Sequence, residues 1–591
     1  MASQLPPVVP SVTAELVERL SPRLRKRLDA GVAKLAGRPV SADGDGGSVR
    51  VAVDDETDLR LTLSGGVVGS ADAIHCGCLL APDCLHRAAV ASLAPVAQEQ
   101  AVTEQRPGAV AEPESPAAVE PPESPDDASV HAARALFDAA AAVLDAGTDG
   151  AGAVLQAELL RAAHGARLAG LHRAAAAAVS VVNGVRAARA GDAGYRLGDL
   201  QGALREVLGV AYRLPAATGG ELTELRGRAR QSYTPEGSLR LYGVFCEPVS
   251  TATGYAGVVT WVADADGRLY TVSDVAPGGV SRAAGAVERT VRLGDTALTH
   301  RELASAGLAV SGATVSPSGR LGAGAGVRAV RVSGAGWDAA PLDALWRVPV
   351  GEQVARALDG SAHDLLFLDA VIVGAVREAG GDWLLADCGG VTVRLGVAHD
   401  DPGLPCRDNL RVLAGAVGAA VRVVGRLVAG VDARVELLAV SVEGGVRVGV
   451  GVERLQRVDV LGRDGAAEEV DRDARAPQSV PEVGEAPSYL LRRRLAQAVT
   501  GGRRVLSVPG GVARDVRALR DAGLGTAADL LHALDAGAGE RERDAFGRLL
   551  PADPGGFARV WLAGALYGVG VDRALCAAAW GVAAREGASV L

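Results

Sequence analysis

Lysine is almost missing from this 591-residue chain: Lys26 and Lys34 are the only two, and the other 59 of its 61 basic residues are arginine. Alongside abundant Ala, Gly and Val, that imbalance reads as a GC-rich coding bias, so the arginine excess alone carries little chemistry. Neither lysine follows a glycine, which excludes a Walker loop and its Gly-Lys-Ser/Thr. Aromatic residues are scarce too, 19 in all, leaving few platforms on which bases could stack. A formal charge of −9 supplies no overall field for nucleic acid or an anionic membrane. Uninterrupted apolar runs of about 18 residues are absent; the best stretch, Leu413 to Val428, is broken by Arg422 and Arg426. The N-terminal residues lack the apolar core of a secretory signal. Neither a Gly-x-Ser-x-Gly elbow nor a His-Glu-x-x-His motif occurs. These absences lead to the expectation of a cytoplasmic protein that is not an enzyme, binds no nucleotide and spans no membrane. In a reducing compartment, its seven cysteines read as metal ligands or buried side chains rather than disulfides.

What is present is enough apolar residue, 48%, for several cores, and the length predicts about four domains. Residues 1–96 form a first unit, with a basic amphipathic helix over Ala14–Leu35 and strands at Val49–Val53 and Leu59–Leu63. Residues 97–129 are acidic and Pro-rich without apolar periodicity, the pattern of an extended linker. Residues 130–215 read as two or three antiparallel helices. Period-two patterns follow in two sets, at 219–350 and 360–446, each with three strands, a helix and two more strands. That is the order of an OB fold, and the second set matches it better. Residues 464–487 form a second acidic linker, and 488–591 a helical C-terminal domain. The fold class is therefore multidomain α+β, and the two linkers lead us to expect modules that orient independently.

The segment His75–Leu93, HCGCLLAPDCLHRAAVASL, holds Cys76-x-Cys78, five residues, then Cys84-x-His86. Two thiolates one residue apart can converge on one ion from a tight turn, with Gly77 supplying the backbone freedom. Pro82 and Asp83 can open a helix whose first turn carries Cys84 and His86, with Asp83 a candidate N-cap. Three thiolates and an imidazole make a closed tetrahedral shell, so the expected cofactor is one structural Zn2+ with no open position for substrate. The alternative is ordinary buried cysteines beside a chance histidine. It requires four of the sixteen Cys and His residues to fall within eleven positions in ligand order. Zinc supplies roughly 10 kcal/mol or more to the folding of small finger peptides. On that basis Cys84→Ser is expected to unfold residues 40–95 and leave the β-rich region intact.

This arrangement resembles the SWIM zinc finger, whose pattern is Cys-x-Cys, a spacer, then Cys-x-His, over about 50 residues of the chain. The resemblance implies a small ββα unit and a domain that binds DNA or proteins. The wider layout also resembles bacterial SWIM-finger proteins with helical and β-rich extensions. For those, it implies partners such as a MoxR-type AAA+ ATPase or a von Willebrand A-domain protein. The leading expectation is an adaptor or regulatory protein-interaction subunit.

The alternative is a DNA- or RNA-binding protein. Its contacts would be Arg19, Arg23, Arg25, Lys26 and Arg27 on the basic helix, although residues 1–96 carry ten basic and eleven acidic side chains. Ala518–Leu534 loosely follows a helix-hairpin-helix pattern, against the plainer reading of a helical turn. Tyr242, Phe245, Tyr255, Trp261 and Tyr270 in the first β set, and Phe367 and Trp383 in the second, are either stacking platforms or barrel core. Gly319–Val330 lacks a following helix and reads as a hairpin rather than a phosphate loop. A third reading, a hydrolase, rests only on Cys246, Cys388 and Cys406. Buried structural cysteines are the default for these, though sequence distance leaves a spatial triad open.

Overall fold

The computed structural model describes the chain except residues 1–4, 43–46, 55–56, 98–122, 229–232, 252–254, 325, 361–362, 379–380, 443–444, 462–486, 508–511, 540–543, 549, 551 and 583–591, and the side chain of Leu461. Most of both acidic stretches read as linkers therefore lies outside the described residues. The chain divides into two compact units, Met1–Arg230 with Ala486–Gly568, and Gln231–Glu485 with Val569–Leu591.

The first unit opens with three short helices, α1 (Pro10–Glu18), α2 (Pro22–Arg25) and α3 (Leu28–Leu35), where the periodicity predicts one. Pro22 explains the break, because it lacks an N–H and its ring clashes with the preceding turn. Ser21 then caps α2 by accepting from the Leu24 amide. A four-stranded antiparallel sheet follows in chain order: β1 (Val40–Ala42), β2 (Ser48–Ala52), β3 (Asp58–Thr62) and β4 (Ile74–Cys76). Val49, Val51, Leu59 and Leu61 alternate with polar residues and face inward. Helix α4 (Leu85–Leu93) packs its Ala88–Ala91 face beneath the sheet with Val12, Leu16, Val17 and Leu28.

Helices α5 (Asp127–Gly150), α6 (Ala153–Leu168), α7 (His172–Ala190), α8 (Leu197–Arg213) and α9 (Gly219–Arg226) build a bundle. The N-terminal helices and sheet pack against this bundle. Ala153 and Ala157 of α6 belong to the same core as the sheet. Asp29 accepts from the Ala153 amide at 3.0 Å and pairs with Arg189. Arg186 donates to the Ala94 carbonyl at 2.7 Å. The expectation of an independently oriented finger is corrected by these contacts.

The second unit begins with β5 (Thr234–Ser250), β6 (Tyr255–Ala263), β7 (Leu269–Pro277), α10 (Val280–Ala286), α11 (His300–Leu303), β8 (Gly307–Val315) and β9 (Arg328–Val332). The strand order is β7-β6-β5-β8-β9. Gly319–Leu321, within the Gly-rich loop, turns back to exchange hydrogen bonds with Thr271 of β7 and draws the sheet's ends together. Helices α12 (Ala344–Arg347) and α13 (Val350–Asp359) lead into β10 (Leu365–Glu378), β11 (Gly381–Cys388), β12 (Val391–Val397), α14 (Cys406–Ala414), β13 (Ala420–Val428) and β14 (Arg434–Val442). These five strands run β12-β11-β10-β13-β14, and β12 pairs parallel with β14, closing a barrel. Strand β15 (Arg447–Gly449) extends the sheet, and α15 (Arg457–Leu461) follows. Each strand set has its own apolar core, and a shared aromatic layer joins them. In that layer Trp346 lies 4.8 Å from Trp337 and 5.1 Å, edge-on, from Phe367.

Helices α16 (Tyr489–Leu506), α17 (Ala513–Asp521), α18 (Gly525–Gly539) and α19 (Pro554–Ala579) complete the chain. Leu490, Leu495, Val499, Leu531, Phe557 and Trp561 share one core with α5–α8. Gly147 and Gly502, both at positive φ inside their helices, let α5 and α16 touch backbone to backbone. Arg503, 3% exposed, pairs with Asp145 beside that contact. Helix α19 is long and apolar enough to cross a membrane by length and composition. Phe557, Ala558, Trp561 and Leu562 lie in the first unit's core, and Cys576 and Trp580 in the second unit's.

Candidate metal centre

Cys76 ends β4, Cys78 lies in the turn after it, and Cys84 and His86 stand at the start of α4. The strand and the helix are held together by the core beneath them, so the turn must bring Cys78 back toward the helix start. The ligand atoms of all four residues lie within 4.8 Å of one another. Cys76 Sγ and His86 Nδ1 are 3.7 Å apart; ligands about 2.3 and 2.0 Å from one tetrahedral ion would be separated by roughly 3.5 Å. Among the described residues this is the one group of Cys, His and acidic side chains so gathered.

The thiols hydrogen-bond one another in the arrangement. The Cys84 thiol is drawn down to about 5, chiefly by its hydrogen bond with Cys76; burial opposes this, and the Arg87 amide, the Cys78 thiol and the His86 amide assist. The Cys76 thiol is pushed up by the same contact and by burial. Three sulfurs and an imidazole nitrogen form a soft, nitrogen-and-sulfur donor set, which fits a zinc-like ion and leaves no protein-free corner for substrate. The arrangement can hold one metal ion.

Two details differ from expectation. The N-cap of α4 is Cys84, not Asp83, so the helix starts at Leu85. Gly77 is not at positive φ, and a Cβ there would meet nothing within 4 Å, so the turn does not require glycine. His75 is exposed on the outer face of the sheet opposite Arg60, away from the cluster. Leu79 and Leu80, inside the spacer, project into solvent. Sequence reasoning missed Arg87. Its signal was a lone arginine in an otherwise apolar helix, and it is buried beneath the cluster.

The five basic residues read as partner contacts do not share a helix face. Arg19 ends α1 and pairs with Glu15 at 2.5 Å. Arg25 folds back from α2 to donate to the carbonyls of Val17, Glu18 and Leu20, capping α1. Arg23, Lys26 and Arg27 are exposed. The turn within Ala518–Leu534 joins α17 to α18 through Gly523 at positive φ, with Leu524 donating back to Leu519.

Most aromatics weighed as platforms are core: Tyr270, Phe245 and Phe367 are buried, and Trp261 stacks on Phe245 and donates to Glu247 at 2.8 Å. Trp383 differs. It lines a cleft of about 900 Å³ with Arg377, Leu410, Arg407 and Arg411, its ring carries Arg434 at 4.9 Å, and its indole N–H has no partner among the described residues.

A spatial cysteine–histidine arrangement does exist. The Thr260 hydroxyl lies 2.8 Å from His300 Nδ1 and hydrogen-bonds Cys246. However, Cys246 is 2% exposed and burial pushes its thiol up to about 12, the reverse of an activated nucleophile. Cys388 and Cys406 are likewise buried and raised to about 11 by burial. Comparison with protein-family models, curated proteins and solved structures returns no match for this chain.

Proposed function

We propose that the protein is a zinc-binding, SWIM-type adaptor or regulatory subunit that works by binding another protein rather than by catalysis. The observation that carries this reading is the convergence of Cys76, Cys78, Cys84 and His86 at a β4–α4 junction. Such a closed shell suits a structural ion and gives catalysis no open coordination site. Leu79 and Leu80, fixed at both ends by ligands, would present apolar side chains to a partner once the ion is bound. An AAA+ ATPase of the MoxR type, or a von Willebrand A-domain protein, is the partner class that the resemblance favours.

The test is a tagged pull-down from native cells, comparing wild type with Cys84→Ser. A defined protein set that is lost in the variant and survives nuclease supports the adaptor. Nuclease-sensitive recovery dominated by DNA or RNA overturns it. Nucleic-acid binding is the second reading, and two observations favour it. The closed β12-β11-β10-β13-β14 order with a helix before the fourth strand is the arrangement of OB folds, and Trp383 lines a cleft together with Arg377, Arg407 and Arg411. Steep salt dependence of affinity for a single-stranded oligonucleotide would mark that mode.

A further inference from the structure

Arg87 is the one permanently charged residue of α4, yet it is only 3% exposed. Its guanidinium donates through Nε to the Ile74 carbonyl, through one Nη to Pro82 and through the other to Ala71. Ile74 stands two residues before Cys76, and Pro82 two residues before Cys84. One planar fork therefore ties together the two arms that bring the thiols to the site. The backbone N–H of the same residue faces the Cys84 sulfur. Among the described residues its side chain has carbonyl acceptors and no carboxylate.

A buried cation with only neutral acceptors is unfavourable unless negative charge lies close by. A divalent ion held by three thiolates and a neutral imidazole carries one net negative charge, and this too would be half-buried. We infer that Arg87 is a positioning residue of the metal centre: its fork sets the two ligand arms in register before the ion arrives, and its charge balances that of the loaded site. The inference rests on reading the cluster as a metal centre.

The experiment uses the full chain, stripped with chelator and titrated with Co2+, whose visible bands and sulfur-to-cobalt absorption report tetrahedral thiolate ligation. Competition with a chromogenic chelator gives affinity, and hydrogen exchange of residues 71–84 in the metal-free state reports the register of the arms. Arg87→Met keeps length without charge or fork; Arg87→Lys keeps charge without the fork. The expected result is a loss of about ten- to a hundredfold in Co2+ affinity for the methionine variant, the usual range for groups that orient ligands. The lysine variant should lose less, and exchange at 71–84 should be faster in both metal-free variants. Affinity within about twofold of wild type with unchanged bands in Arg87→Met overturns the inference. So does a variant that melts earlier yet binds Co2+ normally, since that is a purely structural role. Absence of tetrahedral bands in the wild type would instead remove the metal reading itself, and Cys84→Ser provides the reference for that outcome. Should Arg87→Met fail to fold by circular dichroism, Arg87→Lys alone decides: affinity and metal-free exchange equal to wild type overturn the fork.

Discussion

Removing the metal should loosen the ligand arms and leave the rest of the finger module folded. In isolated zinc-finger peptides the ion carries folding outright, at roughly 10–16 kcal/mol. Here the module has a second source of stability. Leu28, Leu59, Leu61, Val68 and Ile74 are fully buried, with Val12, Leu16 and Val51 nearly so. Each contributes roughly 1.5–3 kcal/mol relative to exposure, so their gross burial is of the same order as the ion's contribution. Ala153 and Ala157 of α6 close the same core from the bundle side. The residues without such support are Gly77–Asp83, most of which are exposed. This docked core replaces the expectation that Cys84→Ser unfolds residues 40–95. The assay is hydrogen exchange on full-length protein with and without chelator. Protection should fall in residues 76–87 and persist at Leu59–Leu61 and Val90–Leu93. Joint collapse of β2, β3 and α4 protection on chelation would falsify the reasoning, because it would mean that the ion carries this module as it does a free finger.

Two further outcomes are expected. Gly147→Ala should destabilise the first unit by about 3 kcal/mol or more. Gly147 sits at φ 67° and ψ 174°, a region closed to side chains, and the added Cβ would lie 2.2 Å from the Gly502 nitrogen. A change below about 1 kcal/mol in urea unfolding, followed through exchange of α5 and α16, would refute the backbone contact. The second unit should lose stability as pH falls from about 6.5 toward 4. Burial lowers the pKa values of His300 and His399, and that of His363 to about 4, so the unfolded chain takes up protons that the folded unit excludes. A melting temperature of this unit that stays flat between pH 7 and pH 5 would contradict that assignment.

The parts of the fold legible in the sequence were those written in local pattern. Alternation in Val49–Val51 and Leu59–Leu61 places β2 and β3 within a residue, and the Val-rich period-two patterns mark the second unit as strand-rich. The convergence of Cys76, Cys78, Cys84 and His86 was legible because metal chemistry constrains both residue type and spacing. Helix boundaries were weaker. The apolar period ran through Pro22, and Cys84 rather than Asp83 is the N-cap of α4. What was not legible was long-range partnership. An Ala- and Leu-rich helix does not state which helix it will bury against, so the shared core of α16, α18 and α19 with α5–α8 could not be read. The facing pair Gly147 and Gly502, 355 positions apart in sequence, is visible only in three dimensions.

Docking changes what the metal can do for a partner. On a free finger, metal loss abolishes the whole binding surface. On this module the sheet, α4 and the bundle are joined through Asp29, Arg186 and the α6 alanines, so much of the surface is expected to survive without the ion. On the proposed metal reading, the element expected to respond to occupancy is the spacer bearing Leu79 and Leu80, between Cys78 and Cys84. Arg87 connects that response to the scaffold, since the carbonyls of Ala71, Ile74 and Pro82 meet at its guanidinium. A partner that reads the loaded state would therefore contact the spacer. A partner that binds regardless of metal would use the scaffold, and the pull-down with Cys84→Ser separates the two.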